Sequence, residues 1–101
     1  MIFMGTQWIP FNKVEEWQKI YLKVAGTTLP PGIKKWQTFG CNDGERGLKG
    51  YNLIFTEKGK VDEAGIEIAK QIMPFYAIEG FAWKLEPIMG LSDALKLLEK
   101  K

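Results

Sequence analysis

An α+β fold is predicted for this chain of 101 residues. Three observations predict it. Apolar runs of strand and helix period follow one another in the order strand, helix, strand, strand, helix, strand. The second and third strand-like runs are joined through Asn42-Asp43-Gly44, a hairpin turn signal. Both helix-like runs carry their apolar residues along one stripe. That order is βαββαβ, the split-βαβ or ferredoxin-like arrangement. It implies an antiparallel four-stranded sheet with two helices on one face, followed here by a short C-terminal helix. Residues 1–101 read as a single domain.

Ile2–Ile9 is the first strand. Asn12 stands three residues before Glu15, an asparagine form of the capping box. The helix that follows sets Val14, Trp17, Tyr21 and Val24 on one stripe, with Ile20 and Leu22 flanking it, and Gly26 as its C′ glycine. Pro30-Pro31-Gly32 stiffens a loop, and Ile33–Cys41 is the second strand. The glycine-rich, charged stretch to Gly50 reads as a long hairpin loop, and Tyr51–Thr56 as the third strand. The second helix runs from about Lys60 to Met73, with Val61, Ala64, Ile68 and Ile72 inward and Pro74 as its stop. The fourth strand lies within Ile78–Glu86, closed by Pro87. Ser92 caps a last helix with Leu91, Ala94, Leu95 and Leu98 on one side. So short a helix needs something to dock against.

Fourteen basic against twelve acidic residues give a net charge of +2, too balanced to imply a nucleic-acid or membrane partner. Histidine is absent, which removes the commonest general base and the commonest metal ligand together. The single Cys41 excludes an internal disulfide or a multi-thiolate metal site, and reads as a small buried hydrophobe. No cofactor and no metal are expected. No apolar run approaches the roughly 18 residues of a membrane span. Met1 to Phe11 lacks the basic segment and cleavage site of a signal peptide. A cytoplasmic protein is expected.

Side chains alternate between the faces of a strand. In the third strand Tyr51, Leu53 and Phe55 oppose Asn52, Ile54 and Thr56. In the fourth, Phe81, Trp83 and Leu85 oppose Ala82, Lys84 and Glu86. The greasier set of each is expected to face the helices. The open face then keeps several sizeable apolar groups. Leaving such a surface wet forgoes on the order of 5–10 kcal/mol at about 25 cal/mol per Å². A homodimer through the open faces, enclosing a cavity, is the expected cover. Gln7, Asn52, Lys84 and Glu86 fall on that face by parity, either as ligand-binding groups or as buried hydrogen-bond partners. Trp17 and Trp83 read as core. Trp8 and Trp36 lie on less certain faces, so one of them lines a pocket or the dimer seam.

Several segments carry a resemblance. Pro30-Pro31-Gly32-Ile33-Lys34, the Asp43-Gly44 turn, Phe55-Thr56-Glu57, and Glu86-Pro87-Ile88-Met89-Gly90 leading to Ala94-Leu95 resemble a family of small uncharacterised proteins in the dimeric α+β barrel superfamily. These motifs are turns and strand ends, so they speak for fold rather than chemistry. The superfamily includes cofactor-independent monooxygenases, lactone isomerases and haem proteins. The resemblance implies a ligand-sized cavity between sheet and helices, taking a small apolar ligand. Its catalytic histidines have no counterpart here, and haem ligation is not expected.

A second resemblance competes. Ile2-Phe3-Met4-Gly5 and Lys49 to Thr56 partly match the two RNA-contact strands of an RRM, with Phe3 and Tyr51 in stacking positions. Leu53, Asn52 and Thr56 depart from that pattern. The remaining clusters read as solvated surface: Asp43 with Glu45; Asp62, Glu63 and Glu67 on the second helix; and Lys34, Lys35, Arg46 and Lys49 near the hairpin. The two functional expectations are therefore a small-molecule-binding protein or cofactor-independent enzyme, and an RRM-like or purely assembling module.

Overall fold

The structure, a computed structural model, describes residues 1–26 and 28–99. The elements are β1 (Ile2–Ile9), α1 (Val14–Val24), β2 (Ile33–Asn42), β3 (Leu48–Thr56), α2 (Val61–Ile72), β4 (Ala82–Ile88) and α3 (Leu91–Glu99). The four strands form one open sheet in the order β2-β3-β1-β4, with every neighbouring pair antiparallel. β1 and β2 therefore run parallel with β3 between them, and β3 and β4 run parallel with β1 between them. Each of these parallel pairs is linked through a helix, and the result is α+β.

Two apolar clusters lie on one face of the sheet. In the first, Ala64 and Ile68 of α2 pack onto Ile33 and Ile54, bordered by Phe3, Trp36, Trp83 and Leu85. In the second, Trp17, Ile20 and Val24 of α1 meet Ile72, Phe75 and Ile78. Trp83 borders both clusters, and its ring lies directly over Gly5, where any Cβ would collide with it. Of the predicted inner stripe of α2, Ala64, Ile68 and Ile72 are buried and Val61 is half-buried. Asp62 and Glu63 in its first turn and Lys70 in its last suit the helix dipole. A Cβ at Gly65 would meet nothing within 4 Å, so close approach to the sheet is not the purpose of that glycine. Gly65→Ala is accordingly expected to raise stability by about 0.5–1 kcal/mol, read as a higher denaturation midpoint.

Four local expectations are corrected. Asn12 lies in a 3-10 turn, Phe11–Lys13, ahead of α1, and no side chain caps that helix. The hairpin is tight rather than long: a single 3-10 turn, Gly44–Arg46, separates the strands, and β3 begins at Leu48. β4, Ala82–Ile88, starts within the expected range but runs on through Pro87, which an edge strand tolerates because it has a free side. Cys41 is exposed, not buried.

The larger correction concerns β3. Gly50, Asn52, Ile54 and Thr56 are its buried set, facing the helices, while Tyr51, Leu53 and Phe55 lie on the open face. β4 follows expectation, with Trp83 and Leu85 towards the helices. The open face is thus greasier than parity and hydropathy suggested. Ile88, Ile2, Phe55 and Lys35 align across the strands, then Glu86, Met4, Leu53 and Gln37, then Lys84, Thr6, Tyr51 and Phe39. No residue of α3 is buried, and Leu91, Leu95 and Leu98 are all exposed. Among the described residues no helix is long and apolar enough to cross a membrane.

Candidate functional site

The reversed parity of β3 changes which predicted site residues meet. Gln7 pairs with Gly50, and Asn52 with Gly5 on one side and Thr38 on the other, all on the helix-facing side of the sheet. Trp36 stands beside Ile54 on the same side. Gln7, Trp36 and Asn52 therefore come together beneath α1. Lys84 and Glu86 do not join them. They lie on the open face, where their side chains approach to 3.4 Å and both remain exposed. Their expected place beside Asn52 is corrected: the two faces of one sheet separate them.

The space around the first three residues is a hollow of about 520 Å³ between sheet, α1 and α2. It exists because α1 packs against the end of α2 and the following 3-10 turn, Met73–Ala77, rather than flat on the strands. Its walls are ring-rich. Trp17 and Tyr21 of α1 stack with centroids 5.1 Å apart, and Trp17 also meets Phe75 at 6.0 Å. Trp36 closes the sheet side. Tyr21, Leu29 and Thr38 line the hollow and are exposed, so they form its rim.

Its polar groups are linked by hydrogen bonds. Asn52, 4 % exposed, is the hub: its Oδ1 accepts from Trp36 Nε1 and from Thr38 Oγ1, each at 3.0 Å, and its Nδ2 donates to the Gly5 carbonyl at 3.3 Å. Both oxygen lone pairs are thus engaged. Gln7, 6 % exposed, is different. Its Oε1 accepts from Trp17 Nε1 at 3.3 Å, which fixes the amide's orientation. Its Nε2 has no hydrogen-bond partner among the described residues. No side-chain nitrogen or oxygen among them is both sealed from solvent and unpaired, so Nε2 opens on the hollow. Room for that amide depends on Gly50, where a Cβ would come within 2.8 Å of Nε2.

Glu67 was expected on the solvated face of α2, and the structure instead sets it at the hollow. Its carboxylate lies 3.4 Å from Lys70 and is 20 % exposed. Sequence reasoning also passed over Gln71 and Thr38. One signal for Glu67 was available: it directly precedes the inward Ile68, and Gln71 precedes Ile72, so both sit at the border of the apolar stripe. Among the described residues, no lysine or arginine lines the hollow, and no cluster of three or more histidine, cysteine, aspartate or glutamate side chains is arranged to hold a metal.

On the open face, the rings carry cations. Arg46 lies 4.2 Å from the Trp8 ring centroid, Lys49 lies 5.0 Å from that of Tyr51, and Lys35 lies 5.6 Å from that of Phe55. Trp8 Nε1 also donates to Asp43 at 3.0 Å. The Lys49 ammonium is held above its ordinary pKa, first by its hydrogen bond to Tyr51 and further by the charges of Tyr51, Asp43 and Cys41, against a desolvation penalty. Phe3 packs on the helix side while Tyr51 is on the open side, so the paired stacking platform of an RRM is not assembled. Compared with known family models, curated proteins and solved structures, the chain matches none.

Proposed function

We propose that this is a small-molecule-binding protein of the dimeric α+β barrel type, ferredoxin-like in topology. Its ligand occupies the hollow between sheet and helices, and its open sheet face is covered by a second copy. Read from its other edge, the strand order is β4-β1-β3-β2, two interlocked split-βαβ units, which supports that topology. The observation that carries the binding reading is Gln7: a nearly buried amide at the aromatic-walled hollow, with Oε1 held by Trp17 and Nε2 without a partner among the described residues yet open to solvent. Water can pair with such a donor in the hollow, and a ligand that displaces that water keeps its affinity by offering an acceptor in its place. The donor's natural complement is a carbonyl-type acceptor on an uncharged, largely apolar, ring-bearing molecule. An anion is disfavoured, because among the described residues no lysine or arginine lines the hollow, while Glu67, paired with Lys70, places a carboxylate there. Gln7 and Trp36 are the ligand contacts in this reading, and Asn52 holds Trp36 in place. Lys84 and Glu86 belong to the dimer face.

The neutral fluorophore 6-propionyl-2-(dimethylamino)naphthalene is flat, carries one carbonyl acceptor and suits the volume. Its emission is expected to rise and shift blue on saturable binding. Gln7→Leu is expected to weaken that binding about three- to ten-fold, the worth of one hydrogen bond. Leu53→Lys on the open face is expected to leave it unchanged. Binding lost with Leu53→Lys but kept with Gln7→Leu would move the ligand to the other face and defeat the proposal.

One observation favours a second reading, single-stranded RNA on the open face: Lys35, Arg46, Lys49 and Lys84 lie among Trp8, Phe39, Tyr51 and Phe55. The cations sit over several of those rings, however, where bases would need to stack. A salt-dependent shift of labelled oligouridine by the purified protein would support this reading over the dimer.

A further inference from the structure

Resting on the dimer reading above, we infer that α3 is an interface element: each copy's C-terminal helix packs its apolar side against the other copy, beyond the edge of the paired sheets. Among the described residues α3 buries no side chain, and only Ala94 is half-buried. Leu91 is 76 % exposed, Leu95 49 % and Leu98 60 %, although all three lie on one side of the helix at spacings of three and four residues. A helix of nine residues is not stable alone in water. The chain is also thin and extended, 49 × 30 × 18 Å, with a radius of gyration of 15.3 Å. About 13 Å is usual for a compact domain of this length.

The apolar side of α3 continues an apolar rim. Ile88 at the end of β4 and Met89 after it are exposed, and with Met1 and Ile2 they line a groove that reaches Asp93 at the start of the helix. That rim opens from the same face as Ile2, Phe55 and Ile88, so one partner surface covers both.

Area selects a second copy as the occupant. Four strands about 4.8 Å apart and about 26 Å long give a flat patch of roughly 500 Å² per copy. A stable interface takes about 800 Å² from each partner. An α3 of about 14 by 10 Å, given by each copy and received by each, makes up roughly that shortfall.

Analytical ultracentrifugation of the full chain, beside the Leu95→Lys/Leu98→Lys variant, tests this together with hydrogen exchange of residues 91–99 over a concentration series. The full chain is expected to dimerise. The variant is expected to raise the dissociation constant at least ten-fold while the tryptophan emission of the monomer core is unchanged. Exchange protection of α3 is expected only where the dimer is populated. A dimer whose dissociation constant moves less than three-fold in the variant overturns the role of α3 and leaves the dimer standing. So does an α3 equally protected in monomer and dimer, which would mean its own sheet holds it. A full chain that stays monomeric at every concentration overturns both readings.

Discussion

Replacing Asn52 with leucine is expected to cost about 2–4 kcal/mol of stability. Leucine fills a similar volume, so the loss is electrostatic rather than steric. Trp36 Nε1, Thr38 Oγ1 and the Gly5 carbonyl each lose their Asn52 partner at once. The hydroxyl of exposed Thr38 can turn to water, whereas Gly5 is buried between β3 and β4 and its carbonyl cannot. Trp36 is then free to change rotamer, so the sheet wall of the hollow loosens with the fold. Urea unfolding followed by circular dichroism, at fixed protein concentration, measures the change. A midpoint equal to that of the native chain would show that Asn52 is an expendable passenger, not the hub of three strands.

Ile68→Ala is expected to have the largest effect of any single truncation, about 3–5 kcal/mol. Ile68 is 0 % exposed and sits where α2 meets the sheet, against Ile33, Ile54 and Ala64. Its neighbours belong to paired strands and one helix, which cannot collapse into the void. The midpoint of urea unfolding should fall with little change in slope, because the surface exposed on unfolding is nearly the same. Ile66, on the same helix and 59 % exposed, is the control: Ile66→Ala is expected to stay within about 0.5 kcal/mol.

The element order and the inward side of α2 are legible in the sequence because each rests on a local period. The inward side of β4 is legible for a related reason: Lys84 and Glu86 mark its other face. β3 has no such mark. Tyr51, Leu53 and Phe55 outweigh Asn52, Ile54 and Thr56 in apolar bulk, and alternation assigns a face only when the opposite face is wet. Here the open face is itself apolar, so the rule loses its reference. Asn52 settles among the helices because Trp36, Thr38 and Gly5 satisfy it. Those partners lie on two other strands and become neighbours only once the register is known. The candidate site is therefore half legible. Gln7, Trp36 and Asn52 are residue types that suit a pocket, but alternation sends Gln7 and Asn52 to the wrong face. The same parity error groups Lys84 and Glu86 with them. Glu67 reads as solvated: its place at the border of the apolar stripe is a weak signal, and the pattern of α2 does not show that α1 leaves a gap beside it. The N-terminal cap fails for a simpler reason: Pro10 leads into a 3-10 turn that takes up Asn12 before the helix begins.

The sheet's threading bears on how the chain reaches this state. β1 precedes the other three strands in the chain, yet it lies in the middle, paired with β3 and with β4, so that Ile2 meets Ile88. Its ladder cannot close until the last strand is made. Such long-range pairing slows two-state folding towards milliseconds or seconds. Until then the edge of Ile2-Phe3-Met4 that β4 will cover waits unpaired. Until β4 is made, β1 is thus the strand most open to sticking and to chaperone capture.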